Sequence, residues 1–247
     1  MNEMNRSYAE RPDCRPGTNL PMVNYVLIAV NVLVFMAGTA AGGRGGTGEI
    51  LYAGGALYAP LLLKGQGFYR VLTAIFLHAD VPHLVNNMIV QLAAGTILEK
   101  RIGHVSYAAV YIVSGVAGNL VSVGADYLSG SYGYSVGASG AVFGVLGALI
   151  FLIVRMGRRY LQRERYSGAW YAAPARPAGR SAESRTGGQV KSLLVRTGIM
   201  TAFLLYSGWS NPLINQAAHV GGLVCGFVIC AVLMASRPDV DLDELLH

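Results

Sequence analysis

Six stretches of this chain are apolar for close to the roughly 20 residues that a straight helix needs to cross a bilayer. They lie at 22–41, 83–99, 104–125, 139–156, 192–209 and 218–235. The first ("MVNYVLIAVNVLVFMAGTAA"), third and sixth are the strongest. The second carries Asn86, Asn87 and Gln91, the fourth is short before Arg155, and the fifth contains Arg196. An arginine near a helix end can snorkel to the interface, so Arg196 does not exclude a span. A long Gly-rich connection at 42–82 follows the first stretch, tight links lie near 100–103 and 210–217, and a polar segment covers 157–190. The pattern predicts an all-α polytopic membrane protein with six transmembrane helices. It divides into a tail over 1–21, a six-helix domain over 22–236 and a tail over 237–247.

Composition agrees with that reading. Charged residues make up 13% of the 247 and hydrophobic ones 53%, whereas a soluble domain carries about 25% charge. Cys225 and Cys230 lie five apart on one apolar segment, and with Cys14 they form no framework or metal set. The N-terminal tail is polar and lacks the basic-then-apolar order of a cleavable signal peptide. Net charge is +6, which raises nucleic acid as a partner until the charges are located. Of nineteen Lys and Arg residues, ten fall between Arg155 and Arg196, three in the N-terminal tail, two at Lys100-Arg101 and one at Arg237. The loops at 126–138 and 210–217 have none. Positive charge collects on the cytoplasmic side, so both termini and the basic loop 157–190 are expected inside, which requires an even number of crossings. The lipid bilayer, rather than nucleic acid, is the expected partner of the basic segments, and the plasma membrane is the expected location.

That topology aligns three polar positions. The second, fourth and sixth helices all run from outside to inside, and they begin with His83, Ser139 and His219. Asn87 lies four residues after His83, on the same face and about 6 Å deeper. Polar and ionisable residues inside a membrane are costly and usually functional. A serine hydroxyl needs a base to become a nucleophile, and neutral imidazole is the usual one. Attack on an amide creates an oxyanion that needs preorganised donors. The amides at the start of the fourth helix, the Asn87 side chain and the His83 ring can supply them. Asp80 and Asp126 lie in outer loops and Glu99 at the inner end of the second helix, so a Ser139–His219 dyad is expected rather than a triad. Gly137 and Gly140 flank the serine and allow a tight entry to the helix. Gly140, Gly144 and Gly147 face Gly222 and Gly226, a spacing that lets helices approach closely in lipid.

These residues resemble the rhomboid family of intramembrane serine proteases over nearly the whole chain. The carrying motifs are "GASG" around Ser139, "HLVNN" with His83 and Asn87, and "AHVGG" around His219 with Gly222 and Gly226 following. "FLHADVPH" places His78 five residues before His83, and "GTILEKRIG" is similar to the family's G-x-x-x-E-x-x-x-G stretch through Gly95, Glu99 and Gly103. "FYR" at 68–70 is similar to the Trp-Arg pair of the first loop, with Tyr69 and Arg70 in those positions. The resemblance implies the six-helix rhomboid fold, Ser139 as nucleophile and His219 as base. It implies an oxyanion site from Asn87, His83 and the Ser139 amide, with Gly137 beside it. His78, Gly140, Phe143, Gly222, Gly226, Tyr69, Arg70 and Glu99 would support that site. Members cleave transmembrane helices of membrane-protein substrates near the outer face, without metal, nucleotide or other cofactor. The first loop would be half submerged, and the 210–217 loop with the fifth helix would admit substrate. Phe143 stands where many members carry Tyr; it can still stack on His219 but lacks the hydroxyl.

Four rival readings are weighed. A serine among small residues is often packing alone. His78, His83 and His219 could instead hold a metal or haem, although no carboxylate or Cys joins them. A catalytically inactive rhomboid-like protein would bind or escort membrane helices, and a transporter would show internal repeats that this chain lacks.

Overall fold

A computed structural model of the chain describes residues 20–41, 53–170, 179–209 and 215–235. The expected terminal tails, most of the 210–217 loop and the start of the first loop lie outside the described residues. The elements run α1 (Met22–Ala41), β1 (Leu57–Tyr58), α2 (Ala59–Leu63), α3 (Arg70–Thr73), α4 (Val81–Ile102), α5 (His104–Ser129), β2 (Tyr134–Ser135), α6 (Ser139–Trp170), α7 (Gly179–Trp209) and α8 (Gln216–Ala235). Five helices among the described residues are long and apolar enough to cross a membrane: α1, α4, α5, the Ser139–Arg158 part of α6, and α8. Large apolar side chains such as Leu33, Ile89, Val224 and Val232 face outward on them, as a lipid-facing surface requires. The protein is thus an integral, multi-pass membrane protein.

The expected span at 192–209 falls within α7, which is not among the five; Lys191, Arg196, Thr197 and Thr201 make it more polar than the others. Helical backbone also covers much of the segment expected as a basic loop: α6 continues to Trp170 and α7 starts at Gly179. Loss of apolar character ends a membrane span but not a helix, and residues 157–170 carry four Arg with Leu161, Gln162 and Glu164, all of which favour helix.

The helices are arranged around α6. Within its most apolar stretch 72% of residues are buried, against 11% for α1, which lies at the periphery. The core joins Leu146, Leu149, Leu152 and Ile153 of α6 to Tyr107 and Tyr111 of α5 and Leu98 and Ile102 of α4. Helices α6 and α8 run parallel. A Cβ on Gly222 would overlap the Gly140 carbonyl, one on Gly226 the Gly144 carbonyl, and Arg155 donates to the Met234 carbonyl further along. On the other side of α6, a Cβ on Gly144 would overlap the Ser114 side chain of α5.

At the far end from Ser139, the G-x-x-x-E-x-x-x-G stretch has a physical explanation. A side chain on Gly95, which sits in a π turn of α4, would run into Asn24 and Tyr107. The Glu99 carboxylate is buried and accepts from the Val23 amide at 2.9 Å and the Asn24 amide at 2.7 Å. It therefore satisfies orphan donors at the start of α1 and complements that helix's dipole. Gly103, at φ +85°, turns the chain from α4 into α5.

The first loop is pinned from two directions. Residues 57–58 pair antiparallel with 134–135, the Arg70 Nη1 donates to the Ala56 carbonyl at 3.0 Å, and Asn119 of α5 donates to the Val71 carbonyl at 2.8 Å. Replacing Gly226 with Val would force α6 and α8 apart, and overpacking of this kind costs about 1–3 kcal/mol. Denaturant unfolding of the Gly226→Val variant in detergent should therefore show that loss, whereas Val232→Ala on the lipid face should change stability little.

Candidate active site

Ser139 is placed by a turn that only glycine fits. Gly137 has φ +132°, and its N–H donates to the Ala74 carbonyl at 3.0 Å. The next amide, Ala138 N–H, points to His78 Nε2 at 3.4 Å. The chain then enters α6 with Ser139 half-buried at its first position. A Cβ on Gly137 would lie 2.8 Å from His83 Nε2 and 3.6 Å from Ser139 Oγ. The His83 imidazole and the Ser139 hydroxyl thus face one small space, which a larger residue at 137 would fill.

Helix α4 presents His83 through its own start. Asp80 caps the helix, its carboxylate accepting from the His83 amide at 2.7 Å, and Pro82 occupies the first turn. The His83 ring meets His78 edge-on, with centroids 5.2 Å apart. One turn deeper, Asn87 is buried and its Nδ2 has no hydrogen-bond partner.

His219 enters from α8. Its ring stacks on Phe143 of α6, with centroids 4.3 Å apart and planes at 22°. The carbonyl before it, on Ala218, lies between α5 and α6: a Cβ on Gly118 would be 2.6 Å from it and one on Gly140 3.5 Å. His219 is buried, and its Nδ1 has no partner. At this level α6 and α8 meet through the Phe143 stack and the Ala218 carbonyl, without a Ser139–His219 hydrogen bond.

Serine and two imidazoles therefore stand at the N-termini of α6, α4 and α8, with the Asn87 amide one turn along α4 from His83. His78 meets the His83 ring and the Ala138 amide, Phe143 stacks on His219, and Gly140, Gly222 and Gly226 lie along the α6–α8 seam. Tyr69 and Arg70 belong to the pinned first loop, where the guanidinium lies 5.3 Å from the Tyr69 ring centre. Glu99 is at the opposite end of α4 and holds α1 instead. Among the described residues no three His, Cys, Asp or Glu side chains are grouped to share a metal ion. Sequence reasoning missed Asn215, four residues before His219, whose Nδ2 donates to both Ser122 and Ser135. Asn215 had a sequence signal, an Asn immediately before an apolar helical run.

The model of the Rhomboid domain matches residues 65–236. This chain belongs to the rhomboid family. It is similar to rhomboid protease GluP of Bacillus subtilis, 29% identical over 215 residues, 86% of this chain and 35% of that protein. It is also similar to Rhomboid-like protease 1 of Toxoplasma gondii, 32% identical over 73% of this chain and 52% of the other. With RHOMBOID-like protein 5 of Arabidopsis thaliana it shares 31% identity over 73% of this rhomboid and 48% of the plant protein. The chain thus spans a third to a half of the length of these relatives.

Outside the spans, His78 carries a consequence for pH. Burial, and secondarily the neighbouring His83, lowers its pKa from 6.5 to about 3, against weaker opposing effects from the Phe76 backbone and Asp80. A ring kept neutral in the fold leaves stability intact above pH 6.5; stability falls as pH drops from 6.5 towards 3, where only the unfolded chain gains the proton. The effect is at most on the order of a few kcal/mol. The stability of the rhomboid in detergent should fall as pH is lowered across that window, read as a lower denaturant midpoint. His78→Gln, which keeps an acceptor for Ala138 but cannot charge, should flatten part of the slope.

Proposed function

We propose that this rhomboid is an intramembrane serine endopeptidase working by a Ser139–His219 dyad. The observation that carries the proposal is Asn87 Nδ2, a buried donor without an acceptor, on the helix that presents His83 to the Ser139 turn. An unpaired buried donor costs about 1–3 kcal/mol, a cost that an acceptor present only during reaction would offset.

In this mechanism His219 takes the proton from Ser139 Oγ as the oxygen bonds to the scissile carbonyl carbon. The carbonyl π electrons move to its oxygen, which receives hydrogen bonds from Asn87 Nδ2, the His83 ring N–H and the Ser139 amide at the positive end of α6. The intermediate collapses, the C–N bond breaks, and His219 returns the proton to the leaving amine. Water then attacks the acyl-serine by the same route, restoring Ser139 and releasing the new carboxyl end. No carboxylate pairs with His219 Nδ1, which favours a dyad. Phe143 against the ring face limits its rotation.

The substrates are transmembrane helices of other proteins, cut near the outer face of the cell membrane where they fray. The positive charge between Arg155 and Arg196 supports a cytoplasmic side for the other ends of α6 and α8. A rhomboid-like binder without activity would hold such helices uncut.

Purified wild-type protein in proteoliposomes should cleave a transmembrane reporter, and Ser139→Ala or His219→Ala should abolish cleavage while remaining inserted. Asn87→Ala should lower kcat by about 10²–10³-fold, the usual effect of removing one oxyanion donor. Undiminished cleavage by Ser139→Ala would overturn the assignment.

A further inference from the structure

Asn215 immediately precedes α8 and bonds in three directions. Its Oδ1 accepts from the Ala218 amide at 3.0 Å, and its backbone carbonyl accepts from the His219 amide at 3.3 Å. The first bond is an N-cap on the helix that carries the imidazole. Its Nδ2 donates to Ser135 Oγ of β2 at 3.0 Å and to Ser122 Oγ of α5. Ser135 stands four residues before Ser139, on the segment whose next turns are fixed by Gly137 to Ala74 and Ala138 to His78. Ser122 is fully buried. One side chain therefore ties the start of the His219 helix to the strand leading into Ser139 and to the neighbouring α5.

We propose that Asn215 is a positioning residue for the dyad, setting where the top of α8 holds His219 relative to Ser139. The proposal rests on the protease reading above for its kinetic consequence. The glycine seam restrains α6 and α8 along their lengths, but at the first turn of α8 it acts through the packed Ala218 carbonyl, a contact with no preferred tilt. The Phe143 stack acts on one face of the ring only. Fixing the last degree of freedom requires a directional contact at the helix start, and the Asn215 amide provides two. A misplacement of about 1 Å at a catalytic group is enough to lower rate about 10²-fold.

The amide and the cap can be separated by substitution. Serine caps a helix as well as asparagine does, but it is too short to reach Ser122 and Ser135 while capping. Aspartate keeps the acceptor for Ala218 and can take hydrogen bonds from both serine hydroxyls if they rotate. Asn215→Ser should lower kcat for the reporter about 10–100-fold, with KM within about threefold and the unfolding midpoint unchanged. Asn215→Asp should recover most of the rate. The Ser122→Ala/Ser135→Ala double variant should reproduce the serine variant, and adding Asn215→Ser to it should change nothing more. Wild-type kcat in Asn215→Ser, failure of Asn215→Asp to rescue, or additive losses in the triple variant would overturn the proposal.

A readout independent of cleavage separates this from failure of the protease reading. Amide hydrogen exchange over 134–138 should quicken about tenfold in Asn215→Ser and in the double serine variant. If wild type and Ser139→Ala are indistinguishable in cleavage, the protease reading fails while accelerated exchange still supports the tether. Unchanged exchange overturns the tether whatever the enzymology shows.

Discussion

Helices α6 and α8 touch through backbone, and the rest of the Ser139 end depends on that contact. Gly222 rests on the Gly140 carbonyl and Gly226 on the Gly144 carbonyl, while the backbone at Leu223 fills the space beside Gly147. In lipid there is no hydrophobic force between helices, so association relies on close packing and interhelical hydrogen bonds. Any Cβ in the seam would hold the helices apart, and both ends would separate with them. Ser139 adjoins Gly140, and His219 lies three residues before Gly222, so the seam's spacing passes directly to those two side chains. Helix α5 extends the same contact: Gly118 approaches the Ala218 carbonyl and Gly115 approaches Ala141.

With the helices so close, buried polar groups have to find partners among few candidates, and most do so across long separations. Tyr107 donates to Asn24 at 2.6 Å, Asn31 donates to Tyr111 at 3.1 Å, and Glu99 receives the first amides of α1. Each of these bonds links an element at the periphery to the central helices. Asn87 Nδ2, His78 Nδ1 and His219 Nδ1 are buried and unpaired, on the three segments that carry or adjoin the histidines of the site. Gln91 is also unpaired in the π turn of α4, but it lies a turn deeper than Asn87. A buried donor left open beside a nucleophile candidate is a different matter from one left open in a core, since reaction can bring it an acceptor.

What could be read from sequence divides along physical lines. The i, i+4 spacing of His83 and Asn87, and the placement of Ser139 and His219 at helix starts, are local patterns that survive any packing. Phe143 stacking on His219 was implied by the rhomboid resemblance, in which an aromatic ring follows the serine by one turn, and not by spacing alone. The glycine rows were legible because small residues at helical spacing have few other uses in a membrane. Asn215 bonding to residues 80 and 93 positions away left no periodic trace. Nor did the role of Glu99: its carboxylate reads as an interfacial charge, yet it lies buried against another helix's amides. The helical turns after 156 were hidden for the opposite reason, since hydropathy marks where apolar character stops and not where a helix does.

Phe143 shows how the two kinds of constraint combine at one residue. Its ring faces that of His219 at 4.3 Å and 22°, a contact between faces that needs no hydroxyl; such pairs contribute about 0.5–1.5 kcal/mol beyond their buried area. The seam brings α8 near enough for the stack to form, and the stack then opposes rotation of the imidazole about its own bonds. Neither fixes the height or tilt of the first turn of α8, because packing of smooth surfaces permits sliding. A hydrogen bond has a preferred direction as well as a preferred length, so the Asn215 amide restrains what the glycines and the aromatic ring leave free. Close packing sets the distance between the two helices here, and polar contacts at their ends set the angle.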